Sequence, residues 1–171
     1  MNLGFATVSG NQSETVSIGG GPAACVGLHV GWLWSEALRL DGGLMYQFAK
    51  TGFDIQSGGG RGSDSGSWAF HYVGLPLGVT WLSPIKMMLS GGMRVDTLVY
   101  AAETFQGTTN ISGDSRAINL TPYLGVGQPV SVMGQKLTVE AQYSRQLMPL
   151  TKAESKLRLQ QFTLGVNAPI F

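Results

Sequence analysis

Two histidines, His29 and His71, are the side chains through which acid–base chemistry near neutral pH would have to run in this 171-residue chain. Acyl transfer, as in a lipid-modifying enzyme, needs a serine within hydrogen-bond reach of such a base and a third group to orient it. Ser67 stands close before His71, and strand alternation puts Ser90 and Ser144 on the same side as His29. His71 itself falls on the opposite, outward phase. Neither HExxH nor GxSxG occurs, so no residue is assigned a catalytic role.

A second set of chemistry-bearing residues is ionic. Arg39, Asp41, Arg94, Asp96 and Glu140 all fall on one face of their segments by alternation. Charges turned into a narrow interior must pair, because an unpaired one costs several kcal/mol. They read as a salt-bridged plug, with a gated polar path for ions or protons as the sharper alternative. The glycine runs at 19–21 and 58–62 lack a GK[ST] ending and a following helix, and are expected to be flexible surface loops. Asp54, Asp64 and Asp114 lie in segments read as loops, without EF-hand spacing. Cys25 is the single cysteine, which excludes a disulfide within one chain and a cysteine-rich zinc site. No cofactor and no metal is expected.

Composition narrows the setting of these residues. Charged residues make up only 12% and glycine 25 positions, with net charge +1; mean hydropathy is nonetheless positive, at +0.11. A soluble domain carries about twice that charge and about half that glycine. No basic run exists to suggest a nucleic-acid partner. No apolar run of about 18 residues exists to suggest a transmembrane helix. The first residues show no leader signal, and export is expected to rely on a segment removed before this numbering.

The elements that must position the ions are strands. Residues 72–81 read Y-V-G-L-P-L-G-V-T-W, with large apolar residues at every second position. The same period runs through 2–9, 23–34, 38–50, 68–82, 86–103, 117–132, 136–147 and 156–171. One face is wide and apolar; the other carries Gly, Ser, Thr, Asn and Gln with the scattered ions. Connections alternate long and short, with polar loops expected at 51–67, 104–116 and 148–155. The pattern predicts an all-β, eight-stranded antiparallel up-and-down transmembrane β-barrel over residues 1–171, apolar toward lipid and small or polar toward the lumen. Trp32, Trp34 and Trp81 lie beside the short turns, where a girdle of interface aromatics belongs. Pro76 is expected to face the lumen and to lose one ladder bond, accommodated by a bulge or a water. A soluble lipocalin-like carrier, with the apolar face turned inward, is the alternative.

The order of motifs resembles the PorT-like outer-membrane β-barrel family. The resemblance is carried by G-L-H-V-G-W-L-W, L-R-L-D-G-G-L-M-Y-Q-F-A-K-T-G-F, Y-V-G-L-P-L-G-V-T-W, L-G-V-G, V-E-A-Q-Y and F-T-L-G-V-N. It implies a Gram-negative outer-membrane location and no assigned chemistry, one branch of the family serving protein secretion. Phe171 departs from the family by falling out of phase with Ile170 and its predecessors after Pro169. The function expected from residues and resemblance together is a non-enzymatic barrel with a filled lumen. It would contact the lipid bilayer and other outer-membrane proteins as a structural or accessory subunit. Binding through the long loops is the alternative, with Phe53, Trp68 and Phe105 as their aromatic content.

Overall fold

Alternation predicts strands, and a computed structural model shows ten of them among the residues it describes, 2–9, 16–56, 63–150 and 157–168. They are β1 (Asn2–Ser9), β2 (Val16–Ile18), β3 (Gly20–Leu33), β4 (Leu38–Gln56), β5 (Ser63–Leu82), β6 (Met88–Thr104), β7 (Thr108–Asn110), β8 (Ile118–Val132), β9 (Gln135–Arg145) and β10 (Arg158–Asn167). Every pairing is antiparallel. The eight long strands pair in the cycle β1-β3-β4-β5-β6-β8-β9-β10, and β10 returns to β1, so the sheet closes and has no edge within the ring. The fold is an eight-stranded up-and-down barrel.

Short turns gather at one end. Ser35 Oγ accepts from the amides of Ala37 and Leu38 at 3.3 and 3.1 Å and closes the β3–β4 turn. Met133 and Gly134 both have positive φ, 51° and 80°. That is the geometry of a two-residue type I′ turn, whose twist matches the strands it joins.

The barrel is apolar outside and polar inside. Val30 is 75% exposed and Leu77 64%, while Gln47, Thr80, Arg94, Asp96, Asn119 and Thr121 are buried. A lipocalin-like carrier requires the reverse, so the soluble alternative is set aside and the apolar belt faces lipid. Trp32, Trp34 and Trp81 are exposed at the short-turn end of the belt. At the other end Tyr46, Tyr100, Tyr143 and Phe162 are exposed. From Leu38 up to Phe48 the strand covers roughly 33 Å, or about 25 Å along the barrel axis at the usual tilt, the height of a transmembrane belt.

Three expectations are corrected. Residues 51–67 are not all loop: β4 runs on to Gln56, β5 begins at Ser63, and the two pair as far as Gln56 with Ser63. Their composition signals a turn, but the strand ends find neighbours: β2 pairs with β4 at Phe53–Ile55, and β5 pairs with β6 from Ser67 on. The glycine run at 19–21 is likewise not a loop, since Gly20 opens β3 and Gly19 N–H donates to Gly52 O at 2.9 Å. Pro76 does face inward, with no bulge beside it. The β4–β5 ladder simply opens there: Gly42 pairs with Leu77 and Met45 with Gly74, while the intervening residues do not pair. The proline has no N–H to leave unsatisfied. The nearest bulge lies higher, where His71 pairs with Tyr100 and Tyr72 with Leu98, leaving Val99 extra on β6. The glycine-rich run 58–62 and the terminal Pro169 and Phe171 lie outside the described residues.

Candidate functional site

The lumen is organised as polar triads, each built over a glycine. Alternation turns the odd-numbered residues of β4 inward. Arg39 and Asp41 are therefore neighbours on one face. Arg39 Nε lies 2.7 Å from Asp41 Oδ1, and Thr80 Oγ donates to Asp41 Oδ2 at 2.5 Å. On β6 the same spacing pairs Arg94 Nε with Asp96 Oδ1 at 2.6 Å; Thr121 Oγ donates to Asp96 Oδ2 at 2.6 Å, and Arg94 Nη1 meets Met45 Sδ at 3.4 Å. A Cβ on Gly31 would collide with Arg39, one on Gly74 with Asp96, and one on Gly125 with Ser90. At these three positions glycine has a structural cause, because a side chain there would occupy the space the polar groups fill.

Glu140 departs from the expected pattern. It has no cationic partner among the described residues. Ser90 Oγ donates to one carboxylate oxygen at 2.7 Å and Asn167 Nδ2 to the other at 3.0 Å. The five ions are therefore two Arg–Asp pairs and one carboxylate held by neutral donors. Higher in the barrel Gln47 donates to Gln161, and Asn119 bridges Gln146 Oε1 at 3.3 Å and the Met148 backbone at 3.1 and 3.2 Å.

Above these groups apolar side chains pack into the lumen. Phe70 and Tyr72 from β5, Leu159 from β10, and Leu150 and Leu157 from the β9–β10 connection are all buried together. Backbone bonds tie Leu150 down: its N–H donates to Leu157 O at 2.8 Å, and Arg116 N–H donates to Leu150 O at 2.9 Å. Sequence reasoning missed this apolar plug. A leucine among turn-forming residues predicts loop, and its one signal is that such a residue needs burial.

The two pairs differ in depth. Arg94 and Asp96 side chains are 3% and 0% exposed, Arg39 and Asp41 33% and 14%. Arg39→Ala is therefore expected to cost under about 1 kcal/mol, as for a solvated ion pair, in a urea titration of the folded barrel. A loss of several kcal/mol would show that the wetter pair is as deeply committed as the dry one.

The histidines do not assemble a catalytic set. His29 faces the lumen opposite Gly43 and stays exposed there. No hydrogen bond joins it to Ser90 or Ser144, and Ser90 is committed to Glu140. His71 sits on the outer wall, hydrogen-bonded through Nδ1 to the Tyr46 hydroxyl and not to Ser67. Asp54, Asp64 and Asp114 form no metal cluster among the described residues.

No protein-family model matches the chain, and no curated protein sequence matches it significantly. Among solved structures it is similar to Ail, the attachment invasion locus protein of Yersinia pestis, in a complex with the heparin analogue sucrose octasulfate. The similarity has a TM-score of 0.44 at 12% identity and covers 98% of this chain and 94% of that one.

Proposed function

We propose that this chain is a non-enzymatic, non-conducting barrel of a Gram-negative outer membrane, working through its outer surfaces as a structural or accessory subunit of a larger assembly. A PorT-like role beside a secretion or transport complex is the specific form of this reading. The filling of the lumen is the observation that supports it. A buried Arg94–Asp96 pair lies below a packed apolar cluster. Among the described residues no hydrogen bond joins His29 to a serine, Ser90 being held by Glu140. Lipid and protein are then the partners available to the belt.

Extraction from native membranes in mild detergent, followed by sizing, tests the assignment. A reproducible particle larger than the 18.2 kDa chain, containing a second protein, is expected. A bare monomer would remove the subunit reading, and steady conductance in a planar bilayer would remove the closed lumen. Binding at the loop end is the second reading. It is favoured by the β4–β5 hairpin, which carries ordered sheet past the upper aromatics and holds Phe53 against Trp68 and Phe105 at ring distances of 4.5 and 6.1 Å.

A further inference from the structure

His71 is out of place on a lipid-facing wall. Its ring is surrounded by Phe48, Tyr100 and Tyr46 at centroid distances of 5.0, 5.6 and 6.0 Å. An imidazole facing hydrocarbon is costly unless both ring nitrogens find partners. The Tyr46 hydroxyl occupies Nδ1. When that hydroxyl donates, the tautomer is fixed and Nε2 carries the proton, which makes it a donor without a partner among the described residues.

The surroundings of this donor are graded. Directly below it, toward the short turns, lies an apolar groove of about 290 Å³ in the outer wall, lined by Val26, Leu28, Leu44, Tyr46 and Val73. Leu44 stands where the ladder opens beside Pro76, so the groove borders the gap in the sheet. Tyr46 belongs to both the groove and the histidine cluster. Directly above, Lys50 is the next outward residue on β4 beyond Phe48, and it is exposed. Between Lys50 and the tryptophans the outward faces of β3 to β6 carry no acidic side chain; the next outward charge above Lys50 is Asp54.

A slot for hydrocarbon, a hydrogen-bond donor at its mouth and a cation beyond it reproduce, in order, an acyl chain, its headgroup and the headgroup's negative charge. We propose that this wall binds a phosphorylated lipid of the leaflet on the long-loop side. An acyl chain lies in the groove, and a phosphate oxygen accepts from His71 Nε2 and pairs with Lys50. The site goes beyond the subunit assignment and rests only on the transmembrane fold.

Native mass spectrometry of the barrel in dodecyl maltoside doped with lipid A, beside its dephosphorylated form, tests this. The wild-type chain is expected to retain the phosphorylated lipid about tenfold better than the dephosphorylated one, the worth of one charge-assisted hydrogen bond. His71→Phe, which keeps an aromatic ring at the site, and Lys50→Gln should each erase most of that preference. Leu44→Trp, which fills the groove, should reduce retention of both forms. Equal retention of the two lipids by the wild-type chain, or an unchanged preference in both His71→Phe and Lys50→Gln, would overturn the site. Folding is read separately from the heat-sensitive gel mobility of a closed barrel. A wild-type chain without a folded band would instead overturn the transmembrane premise, and the lipid site with it.

Discussion

Replacing Arg94 with methionine is expected to destabilise the folded barrel by about 3–5 kcal/mol, the range for removing one partner of a buried ion pair. The reason lies with the residue left behind. Asp96 is fully buried, and without the guanidinium its charge keeps only the Thr121 hydroxyl. Water cannot easily replace Arg94, because Gly74 and Thr121 close around the pair. A urea titration followed by tryptophan fluorescence reads the loss as a lower midpoint at an unchanged slope. Adding Asp96→Leu to Arg94→Met should recover most of it, since replacing both members of a buried pair with apolar groups is often neutral or better. Gly74→Val should resemble the single change, because its side chain would push into Asp96 Oδ1 and Arg94. A cost under about 1 kcal/mol for Arg94→Met would mean that water reaches the pair and that the lumen is not dry.

Leu77→Arg is the second large effect, expected at about 2–4 kcal/mol in a bilayer. Leu77 points outward between Trp81 below and His71 above, near the middle of the apolar belt. A cation there must leave water or drag water in. Met133→Arg, at the tip of a short turn and fully exposed, should stay within about 0.5 kcal/mol, as surface changes do. The difference between the two is the measurement. Two small and equal costs would mean that the belt does not face hydrocarbon.

Much of this architecture was readable from alternation, because a barrel wall repeats one rule along every strand: apolar out, small or polar in. The faces of β3, β4 and β5 follow that rule, and so do the inward phases of Arg39, Asp41, Arg94, Asp96 and Glu140. What alternation does not contain is cross-strand register. Which glycine lies opposite which ion, and that Glu140 meets Ser90 and Asn167 in place of an arginine, depend on how far each strand slides against the next. The bulge at Val99 is invisible for a related reason. The run T-L-V-Y-A-A-E carries no glycine or proline to mark it, yet the extra residue turns Tyr100 outward and Ala101 inward. The sequence of the upper β4–β5 hairpin predicts a loop because Gly, Ser and Asp are turn formers in isolation. Their strand state comes from neighbours, here β2 and β6, and not from their own preference.

Strand heights in this barrel are unequal. β4 and β5 span 19 and 20 residues, while β1 and β10 span 8 and 10. The tall strands are joined through nearby residues, whereas the β1–β10 seam pairs strands far apart in sequence, Leu3 lying opposite Leu164. Loop closure across nearly the whole sequence is the slowest step available to such a chain. The order of assembly follows: a curled sheet of tall hairpins enters the bilayer first, and the short seam zips shut last. The same seam is where the finished cylinder parts first, so amide exchange should be faster along β1 and β10 than along the middle of β4 and β5. Uniform exchange around the ring would contradict that order. A molecule whose walls differ this much in height has, in effect, a door, and it stands where β1 meets β10.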